Sequence, residues 1–329
     1  DGAALTVNGV AFIDSSDEIP TPAPAIVVKN AGSLTLISST VTEQDAQTSP
    51  LISVDGTSSL DVSSGNNTFN MTVNGSGFIA ASAGSTVLWN AANTLNITTN
   101  EDTPFSFDVR IDGTNVSSIS TSSVTRGSVI TNVNGSLRYT PAANFYGAGS
   151  FTFTLASGKA GTVNLIVRPV NDRPAFTNGP TITVDEDASG TQTFNNHLTS
   201  IVLGPANETN NVLHGTFGNP HNNQIATFSV SNNNSALFTA EPAINSAGRL
   251  TFELNHTVTN ALAAGETASA VVQVTLNDGG GTSNGGVGTS ITQSFTIAIT
   301  GQNDAPVVQD VTGSASEEGP SVDRGRRLH

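Results

Sequence analysis

The chain has 329 residues, enough for two or three domains, yet only 11% of them are charged and 5% aromatic, and the formal net charge is −15. With 11 Lys and Arg against 26 Asp and Glu, it lacks the basic stripe that nucleic acid or an anionic membrane surface requires. No apolar run approaches the ~20 residues of a membrane-crossing helix, and the absence of cysteine leaves stability to apolar cores or bound cations. Val, Ile, Thr and Phe recur in short alternating runs, which predicts a folded all-β chain rather than a disordered one.

The first elements repeat. Ile26-x-Val28, Leu34-x-Leu36 and Val41 are matched by Ile52-x-Val54, Leu60-x-Val62 and Phe69. Ile79, Val87-Leu88 and Leu95 make a third copy, and Leu5-x-Val7 with Phe12 the end of an earlier one. The turns between them are Ala31-Gly32-Ser33, Gly56-Thr57-Ser58-Ser59 and Ala83-Gly84-Ser85. Strands this short bury a face only by stacking on neighbours, so the pattern predicts a solenoid. A leucine-rich repeat needs Leu-x-x-Leu-x-Leu-x-x-Asn and an outer helix, and neither is present. The expectation for residues 1–94 is therefore a short right-handed parallel β-helix, the end of a longer solenoid. Trp89, the single tryptophan, falls in its last coil with Met71. Its ordinary role there is to cap the core, and the alternative is a sugar-stacking platform.

Residues 95–172 read as a sandwich of about seven short strands. Leu95-x-Ile97, Phe105-x-Phe107, Leu137-x-Tyr139, Phe151-x-Phe153-x-Leu155 and Val163-x-Leu165-x-Val167 are the clearest. Residues 173–304 read as a longer one, with Phe228-x-Val230, Leu250-x-Phe252, Val272-x-Val274-x-Leu276 and Phe295-x-Ile297-x-Ile299 as core strands. Residues 305–329 are the start of a further module or an appended tail, since Asp323-Arg324-Gly325-Arg326-Arg327-Leu328-His329 is unlike the rest. Beginning mid-pattern at Asp1, the chain is expected to be a piece of a longer protein.

A phrase used twice marks the module ends. Val170-Asn171-Asp172-Arg173-Pro174 returns as Gln302-Asn303-Asp304-Ala305-Pro306, with Asp185-Glu186-Asp187 following the first and Glu317-Glu318 the second. Its plain meaning is a stiff linker, because Pro removes a donor and holds the preceding residue extended. The first sandwich opens on Asn100-Glu101-Asp102-Thr103-Pro104 and continues through Asn134-Gly135-Ser136-Leu137-Arg138-Tyr139-Thr140-Pro141 and Asn144-Phe145-Tyr146-Gly147. This pattern resembles the cadherin-like, Ig-like tandem repeats of giant bacterial surface adhesins, and residues 1–94 resemble the β-helix repeats of such proteins. One departure is Asp108-Val109-Arg110-Ile111-Asp112, where many members carry Asp-x-Asp-Gly-Asp.

The resemblance implies calcium at the module junctions, where carboxylates at the end of one module meet those at the start of the next. Calcium needs six to eight oxygens, and the residues the resemblance offers are Asp172, Glu101, Glu186 and Asp304. Asp278, in the loop Asn277-Asp278-Gly279-Gly280-Gly281, is a further candidate, the ordinary reading of that loop being a hairpin turn. Calcium is the one cofactor implied.

Catalytic patterns are lacking. The five His have no His-Glu-x-x-His spacing. Gly281-Thr282-Ser283-Asn284-Gly285 spells a nucleophile elbow but lies in a glycine-rich loop between strands. Asp55, Asp61 and Lys29 are too few for a polysaccharide-cleaving face. The reading is a non-enzymatic segment of a large extracellular, cell-surface bacterial adhesin or stalk. Its partners would be surface proteins, polysaccharides or copies of itself, with no nucleic acid and no membrane insertion. The alternatives are a carbohydrate-binding or carbohydrate-active β-helix protein and the structural subunit of a surface filament or sheath.

Overall fold

The computed structural model describes residues 3–14, 24–43, 49–72, 77–82, 85–109, 111, 120–122, 124–209 and 224–303. Asp112, Asp304 and Glu317-Glu318, singled out above, lie outside the described residues.

The repeated pattern folds as strands in sets of three. β1 (Ala4–Asn8), β2 (Ala11–Asp14) and β3 (Ile26–Val28) form the first set, followed by β4 (Ser33–Ile37), β5 (Thr40–Glu43) and β6 (Ile52–Val54). β7 (Ser59–Val62), β8 (Thr68–Thr72) and β9 (Ile79–Ala81) form the third, and β10 (Thr86–Trp89) and β11 (Thr94–Asn100) begin a fourth. Every third strand pairs in parallel. The apolar anchors stand in register: Leu5, Leu34, Leu60 and Val87 in one row, Phe12, Val41, Phe69 and Leu95 in another, and Ile26, Ile52 and Ile79 in the third. A single anchor residue per coil repeats along each row because parallel pairing in register sets identical positions side by side.

Asparagine holds the corner after the first strand of the third and fourth coils. Ser39 N–H donates to Asn67 Oδ1 (2.9 Å) and Asn67 N–H to Asn93 Oδ1 (3.0 Å). Their amides donate to the carbonyls of Leu36 (3.1 Å) and Val62 (2.9 Å). Asn67 and Asn93 are buried, so each bond satisfies a backbone group that has left water. A second ladder runs across a neighbouring sheet, from Asn164 to Asn96 (3.0 Å), Asn70 (2.8 Å) and Thr42 (2.9 Å).

That ladder crosses into the next unit because the sheet does. β12 (Phe105–Phe107), β13 (Ser120–Ser122), β14 (Gly127–Thr131), β15 (Leu137–Pro141), β16 (Gly147–Thr154) and β17 (Ala160–Arg168) follow. β17 lies parallel to β11, and the seven-stranded sheet runs β13-β16-β17-β11-β8-β5-β2. The opposing sheet is β12-β15-β14, antiparallel. One apolar core therefore extends from Val28 to Val167, with no break at residue 94. Phe78 meets Phe107 edge-on at 6.5 Å across it. The fold is all-β; the coil strands join a mixed sheet and the sheets do not close, so a closed parallel β-helix is not shown. Trp89 is half-buried, stacked on Phe69 (6.1 Å), with Nε1–H donated to Ala160 O (2.9 Å), which is a core cap rather than an open platform.

The second unit has its own core, from Phe176 to Ile299. Its elements are β18 (Ala175–Thr177), β19 (Ile182–Asp185), β20 (Gln192–Phe194), β21 (Thr199–Val202), α1 (Ala206–Thr209), β22 (Thr227–Asn232), β23 (Phe238–Ile244), β24 (Leu250–Leu254), α2 (His256–Thr259), β25 (Thr267–Asn277) and β26 (Gln293–Thr300). The sheet β19-β26-β25-β22 opposes β20-β24-β23, and β19 runs parallel to β26 as β11 does to β17. Among the described residues no helix is long and apolar enough to cross a membrane.

Replacing Asn67 by Ala strands the Ser39 N–H and the Leu36 carbonyl in the interior. We expect a loss of about 1–3 kcal/mol, read as a lower midpoint in denaturant, whereas Asn132→Ala, in a surface turn, changes little.

Candidate functional site: the clamped junction

Between β17 and β18 the chain runs Pro169-Val170-Asn171-Asp172-Arg173-Pro174. The two prolines lack backbone donors, but the residues between them carry N–H groups that need partners once buried. Carboxylates from both units supply them. Glu101, the first residue after β11, donates its N–H to Arg168 O (2.9 Å), extending the parallel ladder, and its Oε1 accepts Val170 N–H (2.7 Å). Glu208, on α1 of the second unit, accepts Asp172 N–H at Oε1 (2.7 Å). Its neighbour Asn207 reaches back and donates Nδ2–H to Glu101 Oε2 (2.9 Å). The two glutamates thus grip alternate linker amides from opposite sides, and Asn207 ties one unit to the other.

Asn171 is the pin. Its Nδ2 donates to both oxygens of Asp278 (3.2 and 3.1 Å) and lies 3.3 Å from Gly281 O. Its Oδ1 accepts Gln224 Nε2 (2.6 Å), which also donates to Glu208 Oε2 (3.2 Å). Its carbonyl accepts Val287 N–H (2.8 Å). The loop between β25 and β26 wraps this side chain. Asn284 Nδ2 donates to Pro169 O (3.0 Å), and Asn100 Nδ2 to Asn284 O (2.9 Å), so the loop also touches the first unit. The glycines make room: a Cβ at Gly280 would lie 1.8 Å from Asn171 Oδ1, and one at Gly286 would lie 2.9 Å from Asn171 N. The sequence Ser283–Gly285 is a single turn with no helix after it, so it forms no nucleophile elbow.

The centre of the site is buried and acidic. Glu208 and Asp278 expose none of their surface, and Glu101 and Asn171 expose 1%. Burial pushes Glu101 up to about 7, with the charges of Asp102, Asp172 and Glu208 adding to it and the Val170 N–H opposing. Burial likewise pushes Glu208 up to about 7, with Asp172 and Asp278 adding to it and the bonds from Asp172 N–H and Gln224 opposing.

Of the expected ligands, Glu101, Asp172 and Asp278 do gather here. Glu186 does not, which corrects the pairing of Asp172 with Glu186. Glu186 follows β19, beside Thr300 at the end of β26, while Asp278 lies beyond the start of β26. β26 has 8 residues, so the two positions are at least about 23 Å apart. Asp304 lies outside the described residues. Asp278 is engaged by Asn171 and by Gly280 N–H (2.7 Å). Both oxygens of Glu101 and of Glu208 already accept N–H donors, and among the described residues no three His, Cys, Asp or Glu side chains group as a metal cage. Glu208 and Gln224 escaped the sequence reading, the only cue for Glu208 being a lone acid after Gly204-Pro205.

Residues 85–168 match a family model described as a bacterial Ig domain. No curated protein matches the chain. Among solved structures it is similar to human protocadherin-24 EC1-2, at 14% identity over 64% of this chain and 94% of that one, with a TM-score of 0.34. It is similar to mouse cadherin-23 EC22-24 at 14% identity, 63% and 62% coverage and a TM-score of 0.33. For mouse protocadherin-24 EC1-3 the values are 14%, 55% of this chain, 58% of that chain and 0.29, so the chain spans little more than half of that structure. TM-scores at this level say nothing about function.

Two outcomes follow from the geometry. Gly280→Ala forces Asn171 out of the loop, and we expect about 1–3 kcal/mol of destabilisation with a shifted Asn171 side-chain amide resonance. Because the folded carboxyls hold their protons to about pH 7 rather than the usual 4.5, the folded state binds more protons between those values. The contribution of Glu101 and Glu208 to stability is therefore full below pH 4.5, falls as pH rises to about 7, and is flat above. Denaturation from pH 5 to 8 measures the slope, and Glu208→Gln flattens it.

Proposed function

We propose that this chain is a non-enzymatic segment of a large extracellular, cell-surface adhesin or stalk, whose role is to carry binding ends at a fixed spacing. The observation that carries the reading is the clamp. Modules joined by a short linker ordinarily move relative to one another. Here Asn171 is buried and Val170 and Asp172 are half-buried, the Val170 and Asp172 amides are held by carboxylates from different modules, and Asn171 is pinned by a third. A rod built this way resists bending at the joint. Upstream, residues 1–94 are read as the end of a right-handed parallel β-helix, since parallel crossovers are right-handed. Its sheet runs on into the first sandwich through β11, so that joint is stiff as well. The bacterial Ig match over 85–168 fits a tandem surface protein. Surface proteins, polysaccharides or further copies of the chain are the partners such a rod would present or reach.

Calcium at the junction is the second reading. Three buried carboxylates, Glu101, Glu208 and Asp278, share the joint with the half-buried Asp172; burial and then the neighbouring charges raise the proton affinity of Glu101 and Glu208, and a divalent cation relieves the same repulsion. Gln224 Oε1 is buried with no donor among the described residues, an oxygen suited to such an ion. Binding would require Glu101 and Glu208 to exchange amide donors for the cation.

Small-angle scattering on the full chain tests both. With Asn171→Ala and Glu208→Ala together, we expect the two units to keep their own melting transitions while the particle gains a hinge and a broader distance distribution. An unchanged profile would contradict the clamp. In EDTA the hydrogen-bonded clamp keeps its profile, whereas a calcium junction loosens and melts earlier.

A further inference from the structure

One face of the seven-stranded sheet carries a pattern that neither the core nor the junction uses. On β5, β8, β11 and β17 the residues Val41, Phe69, Leu95 and Val163 are buried. The residues on either side of each point outward, because successive strand side chains alternate. They read Thr40-x-Thr42, Thr68-x-Asn70, Thr94-x-Asn96 and Thr162-x-Asn164. The four strands are parallel and in register, so these positions form two ranks across the sheet. One rank is threonine throughout and continues into Thr152 on β16. The other is Thr42 followed by three asparagines. Every one of these side chains is exposed or half-buried.

Threonine suits any strand, so the first rank alone has an ordinary explanation. Asparagine is depleted in strands, yet three neighbouring strands carry it at one register. Its ladder ties the sheet together, but that role requires no threonine two residues earlier on each strand. The two ranks make a rectangular net of polar groups, with about 4.8 Å between strands and about 6.6 Å between ranks. The net is rigid. Threonine is branched at Cβ and has few rotamers, and each asparagine is held by the next: Asn164 Nδ2 donates to Asn96 Oδ1 (3.0 Å), Asn96 Nδ2 to Asn70 Oδ1 (2.8 Å) and Asn70 Nδ2 to Thr42 Oγ1 (2.9 Å). One N–H of each amide is spent in the ladder, and the second, with the threonine hydroxyls, is left for a partner.

No charged side chain interrupts the net, although the chain carries a net charge of −15. Such a face suits a neutral, flat and periodic partner. The ranks hold no aromatic ring on which a sugar could stack. Oxygen atoms on a prism face of hexagonal ice repeat on a nearly matching rectangular net. Water already ordered by fixed groups costs little further entropy to immobilise, and rigid side chains lose little on binding.

We infer that the outer face of β5, β8, β11 and β17 is a binding surface for crystalline water, its threonine and asparagine ranks ordering a layer that joins the ice lattice. The surface belongs to the coil strands and the first sandwich and is independent of the junction clamp.

The test grows ice slowly in a dilute solution of the full chain and compares protein in the ice with protein in the remaining liquid. The unaltered chain is enriched in the ice. Thr94→Tyr breaks the flatness of the net with a residue that strands accept, and it loses the enrichment while keeping its melting transition. Thr68→Lys, whose long stem reaches solvent, is a second variant with the same expected loss, should the tyrosine disturb folding. Thr35→Tyr, outward on β4 in another sheet of the same coils, stays as enriched as the unaltered chain. Exclusion of the unaltered chain from ice would overturn the inference, and so would an equal loss in Thr35→Tyr. Binding to microcrystalline cellulose or chitin that Thr94→Tyr abolishes, without enrichment in ice, would also overturn it and assign the face to a polysaccharide.

Discussion

A backbone amide taken out of water must find an acceptor, and the arrangement of this chain follows from how six linker residues meet that demand. An exposed linker gives its amides to solvent and leaves the flanking modules free to swing. The stretch from Pro169 to Pro174 instead runs under a glycine-rich loop and against two buried glutamates. Every bond that satisfies it comes from one module or the other, so bending the joint would strand an N–H or a carbonyl in the interior. The strength of each bond is modest.

The same demand shapes the first hundred residues. Parallel strands leave their corners with unpaired polar groups, and Asn67 and Asn93 fill them one coil after another. The ladder of Asn70, Asn96 and Asn164 then carries the pattern across β11 into the sandwich. Coil strands and first sandwich share a core because β11 pairs on both edges, with β8 and with β17.

Much of this was legible in the chain. Leu5, Leu34, Leu60 and Val87 announced parallel pairing, since a parallel register repeats an anchor once per turn. The phrase at Asn171 stands at the linker between the two cores. What escaped was set by distance in space rather than in sequence. Glu208 lies in a short helix with no acidic pattern around it, and only the fold brings it to Asp172. Glu186 misled for the opposite reason: it is near Asp172 in the chain, but the length of β26 separates them. The glycines after Asp278 suggested a turn, and their close approach to Asn171 emerges only when the loop is folded over the linker.

Burying Glu101, Glu208 and Asp278 in one joint sets protons, amides and cations in competition for the same oxygens. In the present arrangement amides hold them. The most direct measurement of that claim is native-state amide hydrogen exchange at Val170 and Asp172 in the intact chain, in EDTA. If Glu101 and Glu208 hold those amides, both exchange on the timescale of the strands β17 and β18 that flank them, with protection lost at Asp172 in Glu208→Ala. Exchange at the rate of an unstructured peptide in the unaltered chain would show an open linker and contradict the clamp.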